Sequence, residues 1–491
     1  MGLLCSSSAR QASLDLDTSP SPPSPPPVNP FPLLNLPQEI LLAIVHQADE
    51  RIPSPTFPSG PSSDLLALSA VNRFFHAVCS PLVWRSISYR PASTYRPEEW
   101  RRKRDLRALS DLVFARSGGE GEERGIGNRP LPIMQLSLED PVVEDPQDTN
   151  QAQEEEDAWV EVVEALASSS LQVLFVKDVE MSAESGARLL RAIAGARRLS
   201  AVRFNQVEFF PRNPDVVRTL APMTRMKTLQ LMHSDPELFE LVDRSPSLDS
   251  LLLWPTGRRM RRRLPAILRL LPHLRNLSLD AVHECDVFRD IADEILRLSS
   301  AEGGNHVLPL EELFLEGPSR QEDLRVLLRA IKHLPGLKRL ALYQVQEPTS
   351  AFFDELAKAA PQLEALTIVS GDCQEPCEWP EPLEAYLPSL SHYHQLRFFA
   401  SDRLTPPREE TPGNGVWLLQ KRLEFEAMSM LARACKGLRE AVAITSDISE
   451  GSSGYFATFT REKGRTRITL KHTTVRDFLI GYDRWVKVED D

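Results

Sequence analysis

The sequence predicts an α/β fold: a small α-helical bundle, then a curved solenoid carrying a parallel sheet on its concave face. Three observations predict it. A strand motif with apolar residues at its first, fourth and sixth positions recurs along the chain. Helical apolar periodicity fills the intervals between copies, and a separate helical pattern occupies 33–90. The clear copies begin at Leu171, Leu199, Met226, Leu248, Leu274, Leu310, Leu337 and Leu363, with a weaker one at Tyr393. Their starts step by 28, 27, 22, 26, 36, 27, 26 and 30 residues, mostly in or near the roughly 20–29-residue period of strand-plus-helix repeats. No unit of that size buries its own leucines, so the core must form between neighbours.

The chain has 491 residues, and its first 32 read as a tether. Segment 19–32, SPSPPSPPPVNPFP, cannot bury enough apolar surface to order itself. Ahead of it, Gly2, Cys5 and Ser6 fit the pattern for acylation of Gly2, with Cys5 as a second acylation site, which would bring the chain to a membrane surface. Between 33 and 90 the apolar spacing predicts two helices. In the first, Ile40, Leu41, Ile44 and Val45 share a face; in the second, opening at Asp64, Leu65, Leu68, Val71, Phe75 and Val78 do. Residues 91–130 read as a helical linker with an acidic, glycine-bearing loop, and 131–445 as the solenoid. Leu136-Leu138 supplies an imperfect first copy and Leu438-Ala441-Ala443 a last one. Residues 446–491 read as a cap, with a β-hairpin turning at Lys463-Gly464.

The bundle carries a more specific signal. Leu36-Pro37, Glu39-Ile40-Leu41 with Ile44, Asp64-Leu65-Leu66, Val71-Asn72-Arg73-Phe74-Phe75 and Leu82-Val83-Trp84 follow one another in the order of an F-box. The segment resembles that family over about fifty residues, with an insertion at 53–63 and Asn72 where cysteine or serine is more frequent. The resemblance implies docking on Skp1 and, through it, on a cullin–RING ubiquitin ligase. The residues it assigns to that contact are Leu36, Pro37, Ile40, Leu41, Ile44, Leu65, Leu66, Leu68, Val71 and Trp84. The array resembles leucine-rich repeats, a combination that implies a substrate receptor whose solenoid reads a target protein. Strand alternation then turns Phe175, Lys177, Trp254, Asp280, Phe314, Glu316 and Tyr343 to the concave side, where exposed aromatics would serve as anchors.

Composition excludes several alternatives. With 57 basic and 69 acidic side chains the formal charge is −12, which argues against a nucleic-acid partner. Apolar content of 42% is ordinary for a globular protein, and six cysteines suit a reducing compartment, so the expected location is cytoplasmic or nuclear. Cys373, Cys377, His392 and His394 fit no zinc spacing, and the chain shows no phosphate loop, nucleophile elbow or H-E-x-x-H. The expectation is a non-enzymatic adaptor that needs neither metal nor cofactor.

Overall fold

The computed structural model describes positions 41, 45, 68, 70, 75, 78, 79, 86–89, 133 and 135–139. It then describes 149–474 apart from 211–213, 235, 255–262, 264–265, 281–286, 301–307, 347, 371–380, 403–414, 445–452 and 463–464. Its strands are β1 (Ser86–Tyr89), β2 (Gln135–Glu139), β3 (Val173–Ser182), β4 (Ala201–Phe210), β5 (Thr228–Met232), β6 (Ser250–Trp254) and β7 (Asn276–Asp280). They continue as β8 (Glu312–Ser319), β9 (Arg339–Val345), β10 (Ala365–Ile368), β11 (Phe398–Asp402), β12 (Glu440–Ile444), β13 (Ser453–Glu462) and β14 (Arg465–Thr474). All join one sheet in chain order. Pairing is parallel from β1 to β12 and antiparallel across β12, β13 and β14. Helices between successive strands lie on the other side of the core, as the recurring strand–helix order requires.

Register explains why the leucines recur. Leu174, Val202, Leu229, Leu251, Leu277, Leu313, Leu340 and Leu366 align across successive strands, and all face the helices in one continuous core. A backbone ladder locks that alignment. The carbonyl of the residue after the first apolar position of each repeat accepts two N–H groups from the next repeat. Gln172 takes Ser200 and Ala201, Ser200 takes Lys227 and Thr228, and the pattern continues to Arg397, which takes Arg439 and Glu440, all at 2.7–3.1 Å. Side chains at these ladder positions alternate in charge, pairing Lys227 with Asp249, Glu311 with both Arg275 and Lys338, and Glu364 with Arg397. These pairs are solvated, so each contributes at most about 1 kcal/mol.

A local kink follows the core-facing part of several strands. Asp178, Gln206, His233 and Gln344 adopt positive φ between 46° and 60°, each two residues past the last core position of its strand. Gly317 holds the same place within β8. The left-handed step breaks strand pairing: Lys177 opposes Asn205 and Val179 opposes Val207, with the kinked residues skipped. Helix starts are then fixed by capping, as where Ser182 accepts from Ser185 N–H and Thr349 from Phe352 N–H.

Two parts of the sequence reading change. The weak copy at Tyr393 is out of register: Leu366 aligns with Phe399 and Ile368 with Ser401, so the true copy is Leu396, Phe399, Ser401. Ser401 replaces the last apolar residue, is fully buried and donates to the Asp402 carbonyl at 2.7 Å, which hid the motif. The sheet also starts earlier than position 131. β1, inside the segment read as the bundle, pairs with β2, aligning Ile87 with Leu136. At the other end, Arg461 donates to the carbonyls of Ala432, Cys435 and Leu438, closing the C-terminus of the last array helix (Gly415–Ala434) against the β13–β14 hairpin.

The kink yields a stability prediction. Left-handed backbone costs a side-chain-bearing residue about 1–2 kcal/mol, and a β-branched one more. Gln344 already carries that cost, so Gln344→Val should destabilise the chain in urea denaturation by the added β-branched strain, about 1 kcal/mol, while Gln344→Gly should stay within about 0.5 kcal/mol of the parent because glycine's entropy cost offsets the strain relieved.

Candidate functional site

Two surfaces merit description: the N-terminal bundle and the concave wall. In the bundle, Leu41, Val45, Phe75 and Cys79 form a cluster separate from the array core, with Leu68 and Val78 packed against it. Leu41 therefore faces the bundle's own interior, where the sequence reading had it facing a partner, and Leu68 is half-buried beside it. Leu36, Pro37, Ile40, Ile44, Leu65, Leu66, Val71 and Trp84 lie outside the described residues, as do Gly2 and Cys5.

Strand alternation carries the expected residues to the concave wall, but their surroundings differ along it. In the N-terminal half, Phe175 and Lys177 of β3 and Trp254 of β6 are half-buried. The Arg203 guanidinium of β4 sits 4.7 Å over the Phe175 ring, and its Nη2 lies 3.7 Å from Met232 Sδ. His233, just past β5, lies with its ring centroid 3.9 Å from that of Trp254. These contacts join side chains of four adjacent strands into one aromatic and cationic platform. Arg203, Met232 and His233 were missed in the sequence because each is unremarkable until the register lines it up.

The C-terminal half is different. Phe314 and Tyr343, expected to be exposed anchors, are 4% and 3% exposed. They pack with their rings 4.9 Å apart in an apolar cluster with Ala341, Val369, Ala400 and Val442. Alternation alone assigned them to the concave side, and it says nothing about what closes over that side. Glu316 is half-buried, and Asp280 pairs with it through the backbone of β7 and β8. Asp402 anchors the β10 exit by accepting from Ser370 N–H at 2.9 and 3.0 Å and from Ser370 Oγ at 3.0 Å.

Cys435 is buried, donates to the Leu390 carbonyl, and burial pushes its thiol up to about 11, so it stays protonated. Tyr393 and Tyr386 hold their hydroxyls against backbone, at Phe353 O and Glu381 N–H, and desolvation raises both. Among the described residues no group of three or more His, Cys, Asp or Glu side chains could hold a metal ion, and no helix is long and apolar enough to cross a membrane.

No protein-family model matches the chain, and no curated protein matches it. Among solved structures it is similar to the crystal structure of the Rad7 and Elc1 complex in yeast, at 13% identity and a TM-score of 0.33, covering 57% of this chain and 71% of that one. At that level the likeness adds nothing to the fold, which rests on the strand register and the shared core.

His233 gives the platform a measurable signature. Burial lowers its pKa below 6.5, so the unfolded chain takes up the proton first as pH falls. Stability should be fully retained above about 6.5 and decline as pH drops through the folded-state value. His233→Asn, which tolerates the left-handed backbone, should flatten that part of a pH-dependent denaturation profile relative to the parent.

Proposed function

We propose that this chain is a non-catalytic substrate-recognition subunit of a Skp1–cullin–F-box ubiquitin ligase, in which the N-terminal bundle docks Skp1 and the solenoid holds a target protein. The observation that carries it is the ordered F-box-like pattern from Leu36 to Trp84. Its described members Leu41 and Phe75 meet, with Val45 and Cys79, in a cluster apart from the array core. A helical segment of about fifty residues has too little core of its own to occupy all its apolar faces, and a helical docking interface would cover the rest. The β1–β2 pairing supports the same reading, because it ties the end of the bundle segment to the array through main-chain hydrogen bonds. A target held on the array is then presented at a set distance from the ligase, and the chemistry is supplied by the conjugating enzyme through proximity.

Within this reading the target contacts belong to the open part of the wall: Phe175, Lys177 and Trp254, with Asp280 and Glu316 beyond them. Half-exposed aromatic anchors are the type of side chain that dominates such contacts. Acylation at Gly2 and Cys5 would add a membrane surface to the partners and bring membrane-proximal targets within reach; its check is whether Gly2→Ala releases the chain from the membrane fraction.

Purified chain should capture Skp1, and Leu36→Ala with Pro37→Ala should weaken capture at least tenfold without changing the thermal midpoint of the array. Equal capture by parent and variant, or none by the parent, contradicts the assignment. Phe175→Ala with Trp254→Ala should leave Skp1 capture intact while removing the target from proximity-labelled material.

A further inference from the structure

The turns that lead into the strands carry charge opposite in sign to that of the whole chain, whose formal charge is −12. From β4 to β12 the acids among the described residues of these turns are Asp249, Glu311 and Glu364. Each is taken up within the same row: Asp249 by Lys227, Glu311 by Arg275 and Lys338, and Glu364 by Arg397. Arg197, Arg198, Arg225, Lys332, Lys436 and Arg439 remain, all exposed and with no ion pair among the described residues. The strand-entry rim is therefore cationic wherever its charge is not cancelled from within.

That excess is densest at the turns entering β4 and β5. Arg197 and Arg198 belong to the first turn and Arg225 to the second, and the Arg225 guanidinium donates through Nη1 to the Arg197 carbonyl. Between the two turns runs an open groove of about 440 Å³, lined by Arg197 and Arg225 and by no acidic side chain. Gly195, the last residue of the helix before β4, is part of its lining. A Cβ placed there would meet nothing within 4 Å, so the groove has free space at that point.

The make-up of the rim selects among anionic partners. Guanidinium groups bind carboxylates through paired N–H donors, a geometry that an ammonium lacks. A slot between two turns admits a single extended chain, where a bilayer presents a plane. Asp249, Glu311 and Glu364 stand at intervals along the same rim and would meet a bilayer surface or a nucleic-acid backbone with like charge. The acidic side chains of a polypeptide can instead be seated one by one between them.

We propose that the groove between the turns entering β4 and β5 docks an aspartate- and glutamate-rich polypeptide segment, with Arg197, Arg198 and Arg225 binding its carboxylates. The site lies at the strand entrances, outside the concave platform, and stands independently of the ligase reading; where both hold, it gives the receptor a second contact for targets with an acidic stretch. Fluorescence anisotropy of a labelled oligoglutamate peptide with the full chain tests it. The peptide should bind, and more weakly as salt rises. Arg197→Glu with Arg198→Glu should weaken binding about tenfold. Gly195→Phe changes no charge but fills the groove, and should weaken binding about fivefold; having two independent groove variants keeps the test valid if one proves unstable. Arg258→Glu with Arg259→Glu, in the basic run that follows β6 in sequence, should stay within about twofold of the parent. No binding by the parent, parental binding by both groove variants, or an equal loss in the 258/259 variant would overturn the proposal. So would tighter capture of phosphatidylserine vesicles or polyuridine RNA through the same arginines.

Discussion

The carbonyl ladder at the strand entrances is the constraint from which the rest of the array follows. Each repeat presents one oxygen that accepts two N–H groups of the next, from Gln172 through Arg397, and the last rung, Arg439 O, accepts from Phe459 N–H of the cap. This fixes neighbouring strands in register, and register decides which side of the sheet every side chain faces, because a one-residue slip would exchange the two faces. The leucines reach the helices and Phe175, Trp254 and Tyr343 reach the concave wall for the same reason. The left-handed residues two positions past the last core residue interrupt the pairing, which β3 and β4 resume at Val179 and Val207 before their helices begin.

Much of this was legible in the sequence because the core needs large apolar residues at three fixed positions in each strand. Where the need relaxes, the signal fades. Ser401 occupies a core position without apolar character, and the pattern slipped onto Tyr393. Asp178, Gln206, His233 and Gln344 share a backbone conformation but no side-chain type, so their common role was invisible until φ was known. β1 is a short stretch with a single aliphatic residue, Ile87, and only its partner in β2 identifies it.

The concave wall was legible by half. Alternation assigned the correct face to Phe175, Trp254, Phe314 and Tyr343, yet two are half-exposed and two are sealed. Exposure depends on what lies over a face, which strand periodicity does not encode. The platform built by Arg203 over Phe175 and by His233 against Trp254 depends on residues about a repeat apart in sequence, brought together by register. Leu41 marks the same limit in the bundle, where periodicity finds an apolar face but does not divide it between the chain's own core and a partner.

The central claim is that the bundle, and not the array, carries the surface for the ligase adaptor. Hydrogen exchange of the full chain with and without Skp1 tests it most directly. The account predicts slowed exchange within 36–84 on adding Skp1 and no change in β3–β12. Protection confined to the array, or absent everywhere at saturating Skp1, would contradict it.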